Sequence, residues 1–255
     1  MSEQRQPKSP GTRAYYDRAA HTVPEFTLLN YGFSSEPEDS IVPSDDPEFY
    51  CLRLYEHTLH STPIEDSDVL EVSCGRGGGA NFVNRTYHPH RLVGVDLSGE
   101  NVRLARTRAA ASGLEFVVGS AERLEFADAS FDVVINIEAS HLYDDRNRFF
   151  AEAFRVLRPG GYFCYTDGCW ADDDCTDDLR AAGFELLERR EITSNVLRAM
   201  RRDSARREAL FDAMADRELR EQYKDWAGVV GYRAHRRFEA GQTRYFSHRL
   251  RRPAG

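Results

Sequence analysis

The chain has 255 residues, 41% hydrophobic and 30% charged, with a formal net charge of −8. That is enough apolar residue for one sizeable core and too much for wholesale disorder. The charge is uneven: residues 201–255 hold 14 Lys and Arg against 8 Asp and Glu, net +6, which leaves −14 on the rest. Those arginines alternate with acids at helical spacing (Arg201, Arg202, Asp203, Arg206, Arg207, Glu208). This is the pattern of a solvated helix face, not of a nucleic-acid-binding surface. The first residues, MSEQRQPKSPGTR, contain no apolar h-region, and no run approaches the length of a membrane span. Five cysteines (51, 74, 164, 169, 175) form no CxxC pair and are odd in number. Reduced thiols in a soluble, cytoplasmic protein are therefore expected.

Taken in chain order, residues 1–13 are polar and expected to be mobile. Residues 14–60 mix aromatics with turn residues and end in FYCLRLYEHTL, where Phe49, Leu52, Tyr55 and Leu59 recur at helical spacing. From residue 68, β-rich runs alternate with helical ones. DVLEVS precedes GGANFVNRTY, RLVGVDLS precedes ENVRLARTRAAAS, and LEFVVGS follows. Then come FDVVINIEAS, the amphipathic RNRFFAEAFRVL, and GGYFCYTDG. The strand runs are nearly continuous Val, Ile, Leu and Phe, as expected of parallel strands covered on both faces. The alternation predicts an α/β, doubly wound, Rossmann-like sheet. After Gly168, LRAAGFELLERREIT predicts a helix, a terminator at Gly183 and another strand. Residues 195–230 are polar and helical in composition, and TRYFSHRL closes the chain as a strand. No internal repeat is evident. The expected organisation is a helical N-terminal cap or lid over 1–60 and a main domain over 61–255, with 195–230 a helical insertion.

The run VLEVSCGRGGGANFV (69–83) places four glycines in five residues at the first strand–helix turn. In an open α/β sheet that turn is where the ligand sits, and glycine lets the backbone approach it. Gly75-x-Gly77-x-x-Ala80, with Asp96 about 20 residues on at the end of the second strand, satisfies the dinucleotide fingerprint. An NAD-dependent oxidoreductase is thereby admitted. Glu71, on the strand just before the loop, argues otherwise, because a carboxylate disfavours a pyrophosphate by Coulomb repulsion. The same field favours a ligand with an ammonium and a sulfonium. S-adenosyl-L-methionine has both, plus a ribose diol for Asp96. The competing reading of Glu71 is a solvated strand-end carboxylate, but buried strand runs seldom carry one without a partner.

VLEVSCGRGGG, GVDLS, GSAERLEFADASFDVVINIEASHLY and FRVLRPGGYF occur in an order and spacing that resemble class I S-adenosylmethionine-dependent methyltransferases, over about Asp68 to Asp167. The likeness is to the small-molecule branch that includes sterol, ubiquinone-pathway, phthiotriolone and antibiotic-tailoring enzymes. LLNYGFS is similar to the N-terminal segment with which such enzymes cover the cofactor. The resemblance implies a seven-stranded sheet with an antiparallel last strand. It also implies S-adenosyl-L-methionine as cofactor, with S-adenosyl-L-homocysteine as product. By the same resemblance Glu71 serves the methionine end, directly or through water, and Ser73, Gly75 and Gly77 shape the loop. Asp96 takes the ribose hydroxyls, Leu97 lies against adenine, and Ser120 and Ala121 stand where the adenine edge is read. Ser73 replaces a frequent glycine. Ser120 replaces a frequent aspartate, although a hydroxyl can accept the same hydrogen bond.

Methyl transfer to an alcohol needs alignment and a base for the departing proton. His141 follows FDVVINIEAS and Asp167 ends GGYFCYTD, so both fall at the carboxyl edge of the sheet. A His–Asp couple there fixes the tautomer and raises the basicity of the imidazole. The alternatives are a hydrogen-bonded loop histidine and a turn-capping aspartate. Glu138 has two open roles, contact with the bound molecules or closure of the strand. The acids Asp172, Asp173, Asp174, Asp177 and Asp178 precede a helix and are read as complements to its dipole, with no metal expected. The aromatics Tyr15, Tyr16, Tyr31, Phe33, Trp170, Trp226 and Tyr232 lie outside the central strands, where this architecture puts the lid and acceptor pocket. The leading reading is O-methylation of a hydroxyl on a bulky secondary metabolite: a polyketide, macrolide, glycoside or lipid. C-methylation, an NAD-dependent oxidoreductase and a non-catalytic binding module stand as alternatives. A nucleic-acid methyltransferase is disfavoured by the acidic core and the lack of an NPPY-like or Pro-Cys motif. The expected partner is a small-molecule acceptor, with no nucleic acid, no membrane span, and a monomeric or homo-oligomeric state.

Overall fold

The computed structural model describes residues 9–23, 25–109 and 111–254. Two helices, α1 (Ser9–Thr22) and α2 (Phe49–Thr58), precede the sheet. Seven strands then form one sheet among the described residues: β1 (Asp68–Val72), β2 (Arg91–Asp96), β3 (Leu114–Val118), β4 (Phe131–Ile137), β5 (Leu157–Trp170), β6 (Glu185–Glu191) and β7 (Thr243–Arg251). Their order is β3-β2-β1-β4-β5-β7-β6. The pairings among β1 to β5 are parallel, whereas β7 runs antiparallel to both β5 and β6. The direction of progression through the sheet reverses between β1 and β4, and ligands of open α/β sheets bind in the crevice at that switch point.

The central strands are apolar because both faces are covered. Val69, Leu70, Val133, Val134 and Ile135 are fully buried. Helices α3 (Gly78–Tyr87) and α4 (Gly99–Arg108) follow β1 and β2, while α5 (Arg146–Val156) and α6 (Thr176–Ala181) follow β4 and β5. Ser98 caps α4 by accepting from the Asn101 N–H at 3.1 Å, and Asp145 caps α5 by accepting from the Arg148 N–H at 2.9 Å. Gly183 takes the left-handed conformation (φ 102°) between α6 and β6, as a helix terminator should. The edge strand β6 is largely exposed and rich in Glu and Arg, which discourages edge-to-edge pairing.

Three expectations change. Residues 9–13 belong to α1 and are not a mobile tail, while the expectation for residues 1–8 lies outside the described residues. Helix α1 is docked: Asp17 accepts from the Ser98 hydroxyl at the start of α4. The cap is helical only in α1 and α2, because Pro37, Pro43, Pro47 and the turn residues around them break the intervening segment. Between β6 and β7 the helical stretch runs beyond 230, as α7 (Thr193–Asp212), α8 (Arg217–Trp226) and α9 (Arg233–Glu239).

The arginine-rich face of α7 is also not wholly solvated. Arg207 is 0% exposed and Asp203 5%. Arg207 donates to Asp203 (2.7 Å) and to the carbonyls of Ala227 (2.6 Å), Asn30 (3.1 Å) and Tyr31 (3.1 Å). Five guanidinium donors with this many acceptors make burial tolerable. Together they tie the N-terminal segment to the α7–α8 layer. Ala19, Phe26, Phe211 and Tyr223 form the apolar cluster beneath that tie.

Candidate active site

Two clefts meet at the carboxyl ends of β1, β2, β4 and β5. The narrower is walled by the glycine loop (Ser73, Cys74, Gly75), the end of β2 (Asp96, Leu97, Ser98), Ser120–Glu122, and the turn after β4. Helix α1 (Tyr16) and the segment Thr27–Asn30 cover it. Asp96 is buried, and its Oδ2 accepts from the Gly75 N–H and its Oδ1 from the Ser98 N–H, both at 2.9 Å. Burial raises its pKa, and the donated hydrogen bonds of Ser98, Gly75 and Asn101 oppose that. Leu97, Ala121 and Leu142 add apolar wall, and Ser120 lines the same cleft.

Ser73 has φ +60°, a left-handed conformation in which a side chain is strained. Its hydroxyl makes a 2.6 Å hydrogen bond with Tyr143, whose oxygen also accepts from Asn136 Nδ2 at 2.9 Å. The position where glycine is usual thus keeps the glycine backbone and gains a side-chain tether. Gly75 lines the cleft, but Gly77 does not. A Cβ on Gly77 would lie 2.8 Å from both Ala105 Cβ and Phe116 Cζ, so its bareness serves helix packing rather than ligand contact. Glu71 also stands behind the wall: it is buried, its Oε1 accepts from Tyr55 O–H at 2.6 Å, and Tyr55 is the residue that reaches the cleft. Glu71 Oε2 is buried without a hydrogen-bond partner among the described residues. Burial pushes its pKa up to about 7, with the Tyr55 hydrogen bond opposing and the Asp96 charge adding to the rise.

The wider cleft, of about 690 Å³, is bordered by Tyr31, His141, Arg146, Trp170, Arg237 and Tyr245, among others. His141 sits on a short 3₁₀ turn, Ser140–Leu142, just past β4. Its Nδ1 lies 2.7 Å from Asp167 Oδ1, while Asp167 Oδ2 accepts from the His141 N–H (3.1 Å) and from Ser140 Oγ (2.7 Å). Asp167 is 4% exposed. Burial alone would raise its pKa, but the charge of His141 and these hydrogen bonds outweigh that and hold the carboxyl below its usual range. The two side chains engage each other, and Asp167 also accepts from the backbone N–H groups of His141 and Gly168. These contacts are shared by a His–Asp couple, a hydrogen-bonded loop histidine and a turn-capping aspartate.

Glu138 and Tyr143 border both clefts. Glu138 is left-handed (φ +52°), and its Oε2 accepts from the Tyr31 N–H (2.8 Å) and Tyr245 O–H (2.6 Å). Burial raises its pKa to about 7 against those hydrogen bonds. Tyr55, Tyr143, Tyr245 and Asn101 are site residues that sequence reasoning did not single out. Of the aromatics, Tyr16 borders the narrow cleft, and Tyr31 and Trp170 the wide one. Tyr15 and Trp226 pack edge to face, Phe33 stacks on His57, and Tyr232 donates to Glu221. The acids before and in the first turn of α6 are engaged by cations: Arg146 with Asp173 and Asp178, Arg189 with Asp174, and Arg180 with Asp177.

An open sheet with this order, an antiparallel insertion of β7, a glycine loop after β1 and an acid ending β2 define the architecture of class I S-adenosylmethionine-dependent methyltransferases. A family model described as a methyltransferase domain matches residues 70–165. The phthiotriol/phenolphthiotriol dimycocerosates methyltransferase of Mycobacterium tuberculosis is 38% identical over 230 residues, covering 87% of this chain and 83% of that one. The fatty-acid O-methyltransferase of Mycolicibacterium smegmatis is 37% identical over 236 residues, covering 90% and 85%. Geranyl diphosphate C-methyltransferase from Streptomyces coelicolor A3(2), solved with Mg2+, geranyl diphosphate and S-adenosyl-L-homocysteine, has a TM-score of 0.68 at 15% identity, covering 97% and 98%. The chain belongs to the methyltransferase family: it is an S-adenosyl-L-methionine-dependent enzyme, and the oxidoreductase alternative falls. No helix among the described residues is long and apolar enough to cross a membrane.

Proposed function

We propose that the enzyme methylates a hydroxyl of a bulky, largely apolar lipid or natural-product acceptor, with His141 as general base. The observation that carries this is the His141–Asp167 couple at the border of the wide cleft, which Glu138 joins to the narrow one. Names of the relatives, which refer to lipid substrates and in one case to O-methylation, support the same class of acceptor.

The narrow cleft suits S-adenosyl-L-methionine in chemistry: a carboxylate for a diol at Asp96 and apolar walls for adenine at Leu97 and Ala121. At the other end the Tyr55 hydroxyl, which donates to the buried Glu71 carboxyl behind it, suits an ammonium. When bound, that molecule supplies an electrophilic methyl group on a sulfonium. Ser73 and Gly75 then shape the methionine end, Ser120 and Ala121 the adenine edge, and Glu138 the boundary toward the acceptor. Asp167 holds the imidazole with Nδ1 protonated, which makes Nε2 the nitrogen that receives the acceptor proton as the C–O bond forms. Residues 1–60 serve as the lid of the catalytic unit 61–255, and the insertion helices wall the acceptor side.

The test is methyl transfer from S-adenosyl-L-methionine to a panel of hydroxylated long-chain lipids, with His141→Ala and His141→Gln compared. Loss of a general base lowers kcat by about 10²-fold or more, while S-adenosyl-L-homocysteine binding stays as in the wild type. Transfer at an undiminished rate in both variants would refute the role of His141.

A further inference from the structure

The wide cleft contains a cation that proton transfer leaves unused. Two arginines border it, and they differ. Arg146 is neutralised: it donates to both oxygens of Asp173 (3.1 and 2.8 Å) and to Asp178 (3.2 Å). Arg237, on α9, is half-buried at the cleft wall and has no carboxylate partner among the described residues. Its guanidinium carbon lies 4.9 Å from the ring centroid of Trp170. Trp170 is itself 45% exposed and borders the same cleft, so the stacked pair faces the cleft and not the core. Stacking occupies the face of a guanidinium and leaves its in-plane N–H donors available.

None of the carboxylates at this cleft pairs with Arg237. Asp173 is engaged by Arg146, and Asp167 is buried and hydrogen-bonded to His141 and Ser140. Glu138 receives two hydrogen bonds and sits where burial favours its neutral form. Arg244, on the adjoining strand β7, is paired with Glu191. The cleft therefore presents one planar cation on an aromatic platform, beside apolar wall from Tyr31, Phe238 and Tyr245.

We propose that Arg237, held on Trp170, is the recognition point for an oxyanion on the acceptor, so that the substrate is an anionic amphiphile and not a neutral lipid. This rests on the wide cleft being the acceptor site. The apolar body lies along the aromatic wall, the oxyanion meets Arg237, and the reacting hydroxyl faces His141. Carboxylate and phosphate share the chemistry that a guanidinium recognises.

The experiment is binding to the full-length enzyme loaded with S-adenosyl-L-homocysteine, which requires no methyl transfer. Three probes of one chain length are titrated: a hydroxy fatty acid, its methyl ester, and the alkyl phosphate. Calorimetry gives the Kd, and tryptophan fluorescence, with Trp170→Phe as control, reports the platform. The acid is expected to bind about tenfold or more tightly than the ester, as loss of a charged hydrogen bond implies. Arg237→Ala abolishes that difference without moving the ester's Kd, Arg237→Lys restores part of it, and added salt weakens only the anionic probes. Preference for the alkyl phosphate over the acid identifies phosphate as the oxyanion. Equal binding of acid and ester, or equal weakening of both by Arg237→Ala, overturns the proposal. Failure of the His141 reading is seen separately: discrimination persists in His141→Ala, and the methylated position in the product shows whether the hydroxyl or the oxyanion itself was the nucleophile.

Discussion

Replacing Glu71 by Gln tests why a buried acid stands before the glycine loop. In the free protein the carboxylate is 1% exposed, with Tyr55 on one oxygen and no partner on the other. Its pKa moves from 4.5 to about 7, chiefly through burial. The folded value is raised above the unfolded one. Its contribution to stability is therefore fully present below about pH 4.5 and is lost as the pH rises through about 7. One pKa unit is worth about 1.4 kcal/mol, so at pH 8 the ionised side chain costs the fold roughly 3 kcal/mol. Glutamine keeps an acceptor for Tyr55 and does not ionise. Its amide leaves the same position unpartnered that the protonated acid does, so those terms cancel at pH 5. The expected outcome is a variant more stable than wild type at pH 8 by roughly 3 kcal/mol, about 5–10 °C in Tm for a chain of this size, with the gap closing at pH 5. Calorimetric scans of the cofactor-free protein at both pH values measure it. The same substitution is expected to weaken S-adenosyl-L-methionine binding by up to about tenfold, because the carboxylate acts on the cleft through the Tyr55 hydroxyl that donates to it. A variant no more stable than wild type at pH 8, or a gap that does not depend on pH, would show that Glu71 is not held against its ionisation.

Asp167→Asn offers an amide where four donors converge: His141 Nδ1, the His141 and Gly168 N–H groups, and Ser140 Oγ. The two backbone N–H groups go to different carboxylate oxygens, so either flip turns the amide NH2 toward one of them. The flip that keeps the His141 N–H and Ser140 contacts also turns it toward Nδ1 and forces His141 into the other tautomer. The expected result is a kcat lower by about 10²-fold or more with cofactor affinity unchanged, as steady-state rates and titration will report. Gly79→Ala would place a Cβ 1.9 Å from Tyr55 Cζ. The ring must leave Glu71, and denaturant unfolding is expected to show a loss of about 1–3 kcal/mol together with weaker cofactor binding.

The sheet was legible because its information is local. Runs such as FDVVINI are apolar without alternation since each face of the strand is covered, and Asp96 at the end of RLVGVD falls at the sheet's edge by strand length alone. The site was legible only where residues near in sequence carry it. His141 and Asp167 were placed by two strand ends meeting at one edge. Tyr55 read as one apolar position of an amphipathic helix, and nothing local shows that its hydroxyl meets Glu71. Tyr245 and Glu138 are 107 residues apart, and Arg207 and Asn30 are 177 apart. The burial of Arg207 against the solvated appearance of its helix follows from carbonyls contributed by a distant segment, and no helical period encodes those.

The contacts that escaped the sequence share a purpose. Arg76, buried in the glycine loop, donates to the carbonyls of Val23 and Phe26, and Arg207 to those of Asn30 and Tyr31. Glu138 takes the Tyr31 N–H. The segment between α1 and α2 has little regular structure of its own, so its backbone groups must find partners elsewhere when buried. Side chains of the catalytic sheet and of the insertion supply them. The seating of the N-terminal segment over the narrow cleft thus rests on ionisable side chains from several elements, among them the buried Arg76 and Arg207 and the half-buried Glu138. One of these, Glu138, sits in a strained left-handed conformation at the boundary of the two clefts. Strain of this kind persists only where surrounding contacts over-determine it. Here the hydrogen bonds from Tyr31 of the N-terminal segment and from Tyr245 of β7 converge on one oxygen, so the position of that segment and the geometry at the junction of the clefts are tied to the same residue.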